Sequence, residues 1–110
     1  MYKAVSCWSP PSPEDLEAFE EHYWNVHVPL AEKIPGTQKL VLTRTEDGME
    51  APPAFYRVAE MGFADRDAFE RATQTDEWRE LRKDAAGMHE RFGVSLDTGL
   101  GYERESDLPS

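Results

Sequence analysis

Two residues four positions apart, Tyr23 and His27, carry the strongest chemical suggestion in this 110-residue chain. Both fall on an apolar stripe with Leu16, Phe19 and Leu30, at the three-to-four-residue spacing of one helix face. At i and i+4 a phenol and an imidazole lie one above the other and can face the same cavity. An imidazole titrates near neutral pH, so His27 in that setting can take or give a proton as general base or acid, with Tyr23 orienting it or the substrate. The competing reading is a core histidine bonded to a backbone carbonyl, and residue types alone leave both open. Pro29 follows directly, and its missing N–H predicts a kink that opens space between helix and sheet.

The remaining reactive groups are less suggestive. His22 sits beside Glu20 and Glu21 and reads as a solvated surface residue. It is five positions from His27, a rotation of about 140° on an α-helix, so the two do not form an i, i+4 metal pair. His89 reads as a cationic complement to the end of the second helix. Cys7 has only Lys3 nearby and reads as a buried, inert thiol. Trp8, Trp24 and Tyr56 are candidate substrate contacts, although aromatic residues at such spacings also fill cores. Ser6, Ser9 and Ser12 lack the glycine context of a nucleophile elbow. Gly99-x-Gly101 is too short for a phosphate loop. Neither a metal nor an organic cofactor is predicted.

The elements that must position Tyr23 and His27 can be read in turn. Residues 1–9 form a strand that Pro10-Pro11 stops. Ser12 as N-cap and Pro13 at the first helical position open a helix that Ile34-Pro35-Gly36 closes. Lys39 to Thr45 is a strand, Glu46 to Pro53 a polar loop, and Ala54 to Phe63 the next strand, with Phe55, Arg57, Ala59 and Met61 on one face. Asp65 caps a short helix and Thr75 a longer one through about residue 91, which Gly93 ends. Val94, Leu96 and Leu100 lead into a last strand ending near Tyr102. The order β-α-β-β-α-β is that of a ferredoxin-like α+β domain over residues 1–102, a four-stranded antiparallel sheet with two helices on one face. Residues 103–110 read as a frayed polar tail. The sheet's other face is left uncovered yet partly apolar, which predicts pairing with a second copy of the chain.

Composition narrows the partners. Twenty-two acidic against twelve basic residues give a net charge of −10, which argues against nucleic acid and anionic membrane surfaces. No apolar run approaches the ~20 residues of a membrane span. A single cysteine and an N-terminus without a secretory h-region predict a cytoplasmic protein.

The segment from Glu21 to Gly36, with Tyr23-x3-His27-x-Pro29-Leu30 followed by Pro35-Gly36, resembles the signature of the EthD family. So do Ala59 to Asp65, Ala68-Phe69 and Asp76-Glu77-Trp78, and the resemblance spans roughly residues 2–102. It implies a ferredoxin-like fold that pairs sheet to sheet as a dimeric α/β barrel. It also implies cofactor-free chemistry on lactones or polyketide-like aromatics, with His27 in the position of a catalytic histidine. The expected function is a cofactor-independent isomerisation, elimination or related rearrangement of a small apolar, cyclic or aromatic metabolite. His27 would act as general acid/base and Tyr23 as its neighbour. A non-catalytic binding or accessory protein of a catabolic pathway is the alternative. A cofactorless monooxygenase ranks behind both.

Overall fold

The computed structural model describes residues 1–109; Ser110, the end of the expected tail, lies outside them. The chain runs β1 (Tyr2–Trp8), α1 (Leu16–His22), a π-helical turn (Tyr23–His27), α2 (Val28–Glu32), β2 (Lys39–Arg44), β3 (Arg57–Phe63), α3 (Arg66–Ala72), α4 (Asp76–Phe92) and β4 (Leu96–Tyr102). The strands form one antiparallel sheet in the order β2-β3-β1-β4, with Ala4 opposite both Met61 and Leu100, and Trp8 opposite both Arg57 and Leu96. This is the ferredoxin-like α+β topology expected from the element order.

Strand alternation sends Tyr2, Ala4, Ser6 and Trp8 of β1 to the helix-covered face, together with Arg57, Ala59, Met61 and Phe63 of β3. Two apolar clusters fill the space beneath the helices. One gathers Tyr2, Phe63, Phe69 and Leu81, and the other Trp8, Phe19, Tyr23 and Met88. The opposite sheet face carries Val5, Cys7, Val41 and Val58, half-buried by their neighbours within the sheet. Cys7 is therefore not the core thiol expected, because odd positions of β1 point away from the helices.

Helix caps follow the residue chemistry. The Asp65 carboxylate accepts the Ala68 N–H at 2.8 Å, the Thr75 hydroxyl accepts that of Trp78 at 3.2 Å, and Gly93 ends α4 at φ 69°. Three expectations are corrected. Ser12 bonds the Asp15 carboxylate at 3.1 Å instead of a backbone N–H, and a 3₁₀ turn (Pro13–Asp15) precedes α1. The ladder of β3 begins at Arg57, three residues later than expected. Residues 54–56 approach it through bends, with Phe55 turned to solvent and the Tyr56 N–H donating to the Trp8 carbonyl at 2.7 Å. Pro29 does not kink its own turn; the backbone widens one turn earlier, across Tyr23–His27. Beyond β4, Glu103 to Pro109 have no regular structure, although Glu103 is held by Lys3 at 3.1 Å and by the Met1 carbonyl at 2.9 Å.

Candidate active site

The π-helical turn decides where the histidines point. The Val28 N–H bonds the Tyr23 carbonyl five residues back. Pro29 cannot donate to Asn25, so relaxing the α-helical pattern at this point forfeits little. With i→i+5 bonds, residues five apart come to lie over one another. His22 and His27 consequently reach the same carboxylate. The His27 Nδ1–H donates to Asp84 Oδ2 at 2.8 Å, and the His22 Nε2–H donates to Asp84 Oδ1 at 2.9 Å. An ionised carboxylate only accepts, which fixes both protons on the nitrogens that face Asp84. His22 is thus not a solvated surface residue, and the 140° separation expected of an ideal helix does not hold.

His27 is 8 % exposed. Burial lowers its pKa below the ordinary 6.5, while the hydrogen bond and charge of Asp84 pull it partly back. The imidazole is accordingly neutral at pH 7, with its proton on Nδ1. Its Nε2 makes no hydrogen bond among the described residues and is the nitrogen left to the cavity that His27 lines. Trp8 stands edge-on to the imidazole at 5.4 Å between ring centres, and Tyr23 lies nearly parallel to it at 6.0 Å. The ring is therefore held on two sides by aromatic packing and from behind by a carboxylate.

The cavity has a volume of about 260 Å³ and lies between the helices and the sheet. Its wall is mostly aliphatic and aromatic, with Trp8, Leu40, Leu42, Met61, Trp78 and Leu81 prominent. The size lies just below the usual range of ligand sites, about 300 to 1,000 Å³, and suits a compact ring system. Tyr23 also lines it, but the imidazole takes its orientation from Asp84, not from the phenol. The Tyr23 hydroxyl is buried without a hydrogen-bond partner among the described residues, and burial pushes its pKa up to about 12. It stays protonated at any physiological pH.

Trp24 and Tyr56 are placed elsewhere. Trp24 follows Tyr23 onto the outer side of the turn and is 47 % exposed. Tyr56 packs edge-on against Phe19 at 5.8 Å in the core and does not line the cavity. His89 donates from Nδ1 to the Val94 carbonyl at 2.6 Å, just beyond the end of α4; since a carbonyl only accepts, Nδ1 carries the proton.

Asp84 had no local mark, because its partners lie 57 and 62 positions earlier in the chain. Arg57 and Glu20 were also missed. Arg57, 5 % exposed, donates through both Nε and Nη2 to the Glu20 carboxylate and lies under the Tyr23 ring, 4.9 Å from its centre. The available signal was a cation alternating with Ala59 and Met61 on the core-facing side of one strand. Such a residue needs a buried anion.

A family model described as the EthD domain matches residues 12–91. The chain belongs to the EthD domain family. The matched span holds the Tyr23-x3-His27-x-Pro29-Leu30 motif and Asp84, while β1 and β4, with Trp8, fall outside it. The chain is 28% identical over 109 residues to an uncharacterized 11.0 kDa protein of the thcB-thcC intergenic region in Rhodococcus erythropolis, covering 99% of this chain and 100% of that one. An ethyl tert-butyl ether D (EthD) family protein of Bacillus halodurans is 32% identical, with a TM-score of 0.84, covering 94% of this chain and 99% of that one. The fold alone is shared with SnoaB, a cofactor-independent oxygenase from Streptomyces nogalater. That protein is 20% identical with a TM-score of 0.63, over 99% of this chain and 97% of that one.

Proposed function

We propose that this EthD domain is a cofactor-independent acid–base catalyst that isomerises, eliminates from or otherwise rearranges a small cyclic or aromatic metabolite. The observation that carries this reading is a buried, neutral His27, oriented through Nδ1 by Asp84, with Nε2 left for an apolar cavity. A ring seated in the cavity presents an acidic C–H or O–H to Nε2. As the proton transfers, Asp84 stabilises the imidazolium that forms, without itself taking the proton. The imidazolium returns the proton at a second position of the ring system in an isomerisation, or to the departing group in an elimination. Trp8 and Tyr23 keep the ring plane fixed meanwhile, and the apolar wall keeps water from competing for the proton.

His27→Ala is expected to lower turnover by about 10²–10⁴-fold, the usual worth of a positioned general acid or base. Ligand affinity should change by less than about tenfold. Unchanged turnover overturns the assignment. A ligand-binding protein without turnover, in which His27→Ala alters affinity only, would support the accessory reading. The likeness to SnoaB favours including dissolved oxygen in the screen. Oxygen consumption with an electron-rich phenol would move the same deprotonation step into an oxygenase.

The proposal extends to assembly. The open sheet face combines Val5, Cys7, Val41 and Val58 with charges of both signs, Lys39 and the Lys3–Glu60 pair at 2.9 Å. Such a face complements itself about a two-fold axis, so we propose a second copy as its occupant. Light scattering at micromolar concentration is expected to give twice the 12.6 kDa of one chain. A monomer mass would count against it.

A further inference from the structure

The cavity wall contains one permanently charged side chain, Arg82. It lies on α4 in the stripe that also turns Trp78, Leu81 and Ala85 toward the cavity. Of the other helical arginines, Arg66 is matched by Glu70 at 3.0 Å and Arg79 by Asp76, while Arg71 and Arg91 do not line this cavity. Arg82 instead has Trp78 and Arg79 behind it and Ala85 and Ala86 ahead, so its own helix offers it no anion. Among the described residues it makes no ion pair or hydrogen bond. Of the two carboxylates nearest in sequence, Asp84 is committed to the two imidazoles, and Glu80 makes no ion pair with Arg82. Arg82 is near enough to His27 for its charge to disfavour the imidazolium.

The sheet side of the same cavity carries a second polar feature. Ser6 and Thr98 are register partners on β1 and β4, and their hydroxyls lie 3.0 Å apart. One hydroxyl proton joins the two oxygens, which leaves the other free to donate. A guanidinium and a spare hydroxyl donor, in a wall otherwise apolar apart from His27 and Tyr23, are the groups that recognise an oxyanion.

Resting on the reading of this cavity as the His27 site, we propose that its substrate is an organic monoanion. It is a compact ring bearing a carboxylate or a comparably acidic enol, whose anionic oxygens take Arg82 and the Ser6–Thr98 pair. The ring lies against Trp8 and the aliphatic wall, which brings its acidic hydrogen toward His27. Because Arg82 is also exposed to solvent, its contribution is screened by salt.

Calorimetric titration of benzoate against benzamide, and of 2-naphthoate against 2-naphthamide, tests this without knowledge of the reaction. The wild type is expected to bind the carboxylates at least tenfold more tightly than the amides, with the margin shrinking at high salt. Arg82→Gln should reduce that margin to under threefold while leaving amide binding and the circular dichroism spectrum unchanged. Ser6→Ala should reduce it partially. Equal affinity of acid and amide in the wild type, an undiminished margin in Arg82→Gln, or no binding of either ligand pair overturns the proposal. His27→Ala separates this from the catalytic reading. It should keep the carboxylate margin whether or not it loses turnover, so either conclusion can fail alone.

Discussion

Asp84→Asn is expected to lower turnover by on the order of 10²–10⁴-fold while the chain stays folded, the scale seen when the orienting carboxylate of a histidine base is made neutral. Asp84 is held at 2.8 Å from His27 Nδ1 and 2.9 Å from His22 Nε2. An asparagine there can present its NH₂ to Nδ1, which would favour the tautomer whose proton sits on Nε2 and leave no lone pair for the substrate. The pH profile gives a second readout. The active form of a general base is the neutral one, so activity rises with pH through the His27 pKa and then levels. Burial already places that pKa below 6.5, and Asp84 is what raises it. In the variant the acid limb should therefore move to lower pH, and the plateau should drop. Histidine NMR would show the same displacement directly, together with the change of tautomer. A variant with wild-type plateau and limb would remove Asp84 from the mechanism and leave it a structural partner of α1 and the π-helical turn.

The second large effect is on stability. Glu20→Ala should cost about 3 kcal/mol, at the lower end of what breaking a buried ion pair costs, because it strands the Arg57 guanidinium in the core. The lower end applies because the Glu20 side chain is one-fifth exposed and Arg44 lies 3.7 Å from it. For a domain of this size the fall in Tm is roughly 15 °C. Urea denaturation followed by tryptophan fluorescence measures it. The double variant Glu20→Leu, Arg57→Met should lose less than Glu20→Ala alone, since it removes the stranded charge with its partner. A neutral Glu20→Ala would mean that Arg57 finds water, and the double variant would then show no recovery. The pair also bears on the site. Arg57 sits beneath the Tyr23 ring, and Tyr23 lies against His27. Destabilised variants should accordingly lose some activity below their melting range.

Local chemistry accounts for most of the architecture. Asp65 and Thr75 cap their helices and Gly93 ends one because the needed side-chain oxygens or φ angle are properties of single residues. Alternation within each strand put Ala4, Trp8, Met61 and Phe63 on the covered face. The candidate base was legible for the same reason, as His27 lies on an apolar helical stripe beside a motif contained in one short segment. Its placement at a cavity shared with Trp8 and Tyr23 needed only the fold.

What surrounds the base was another matter. Glu20 and Glu21 pointed His22 to solvent, and α-helical spacing turned it away from His27, because nothing local announces that Tyr23–His27 takes five-residue bonds; Pro29 marks that a bond is missing, not where the backbone compensates. Trp24 and Tyr56 are aromatic like Trp8, yet the turn puts one on the surface and the strand start puts the other deep in the core. Asp84, Arg82, Ser6 and Thr98 acquire meaning only when α4 and β4 are laid beside β1 and the π-helical turn. Sequence by itself determined the pattern that lays one layer of helices over one face of a single sheet, and the side chain best suited to move a proton. Only tertiary structure decided that side chain's tautomer and basicity, and which polar groups share its cavity. Those properties depend on distances between groups far apart along the chain, and folding sets such distances.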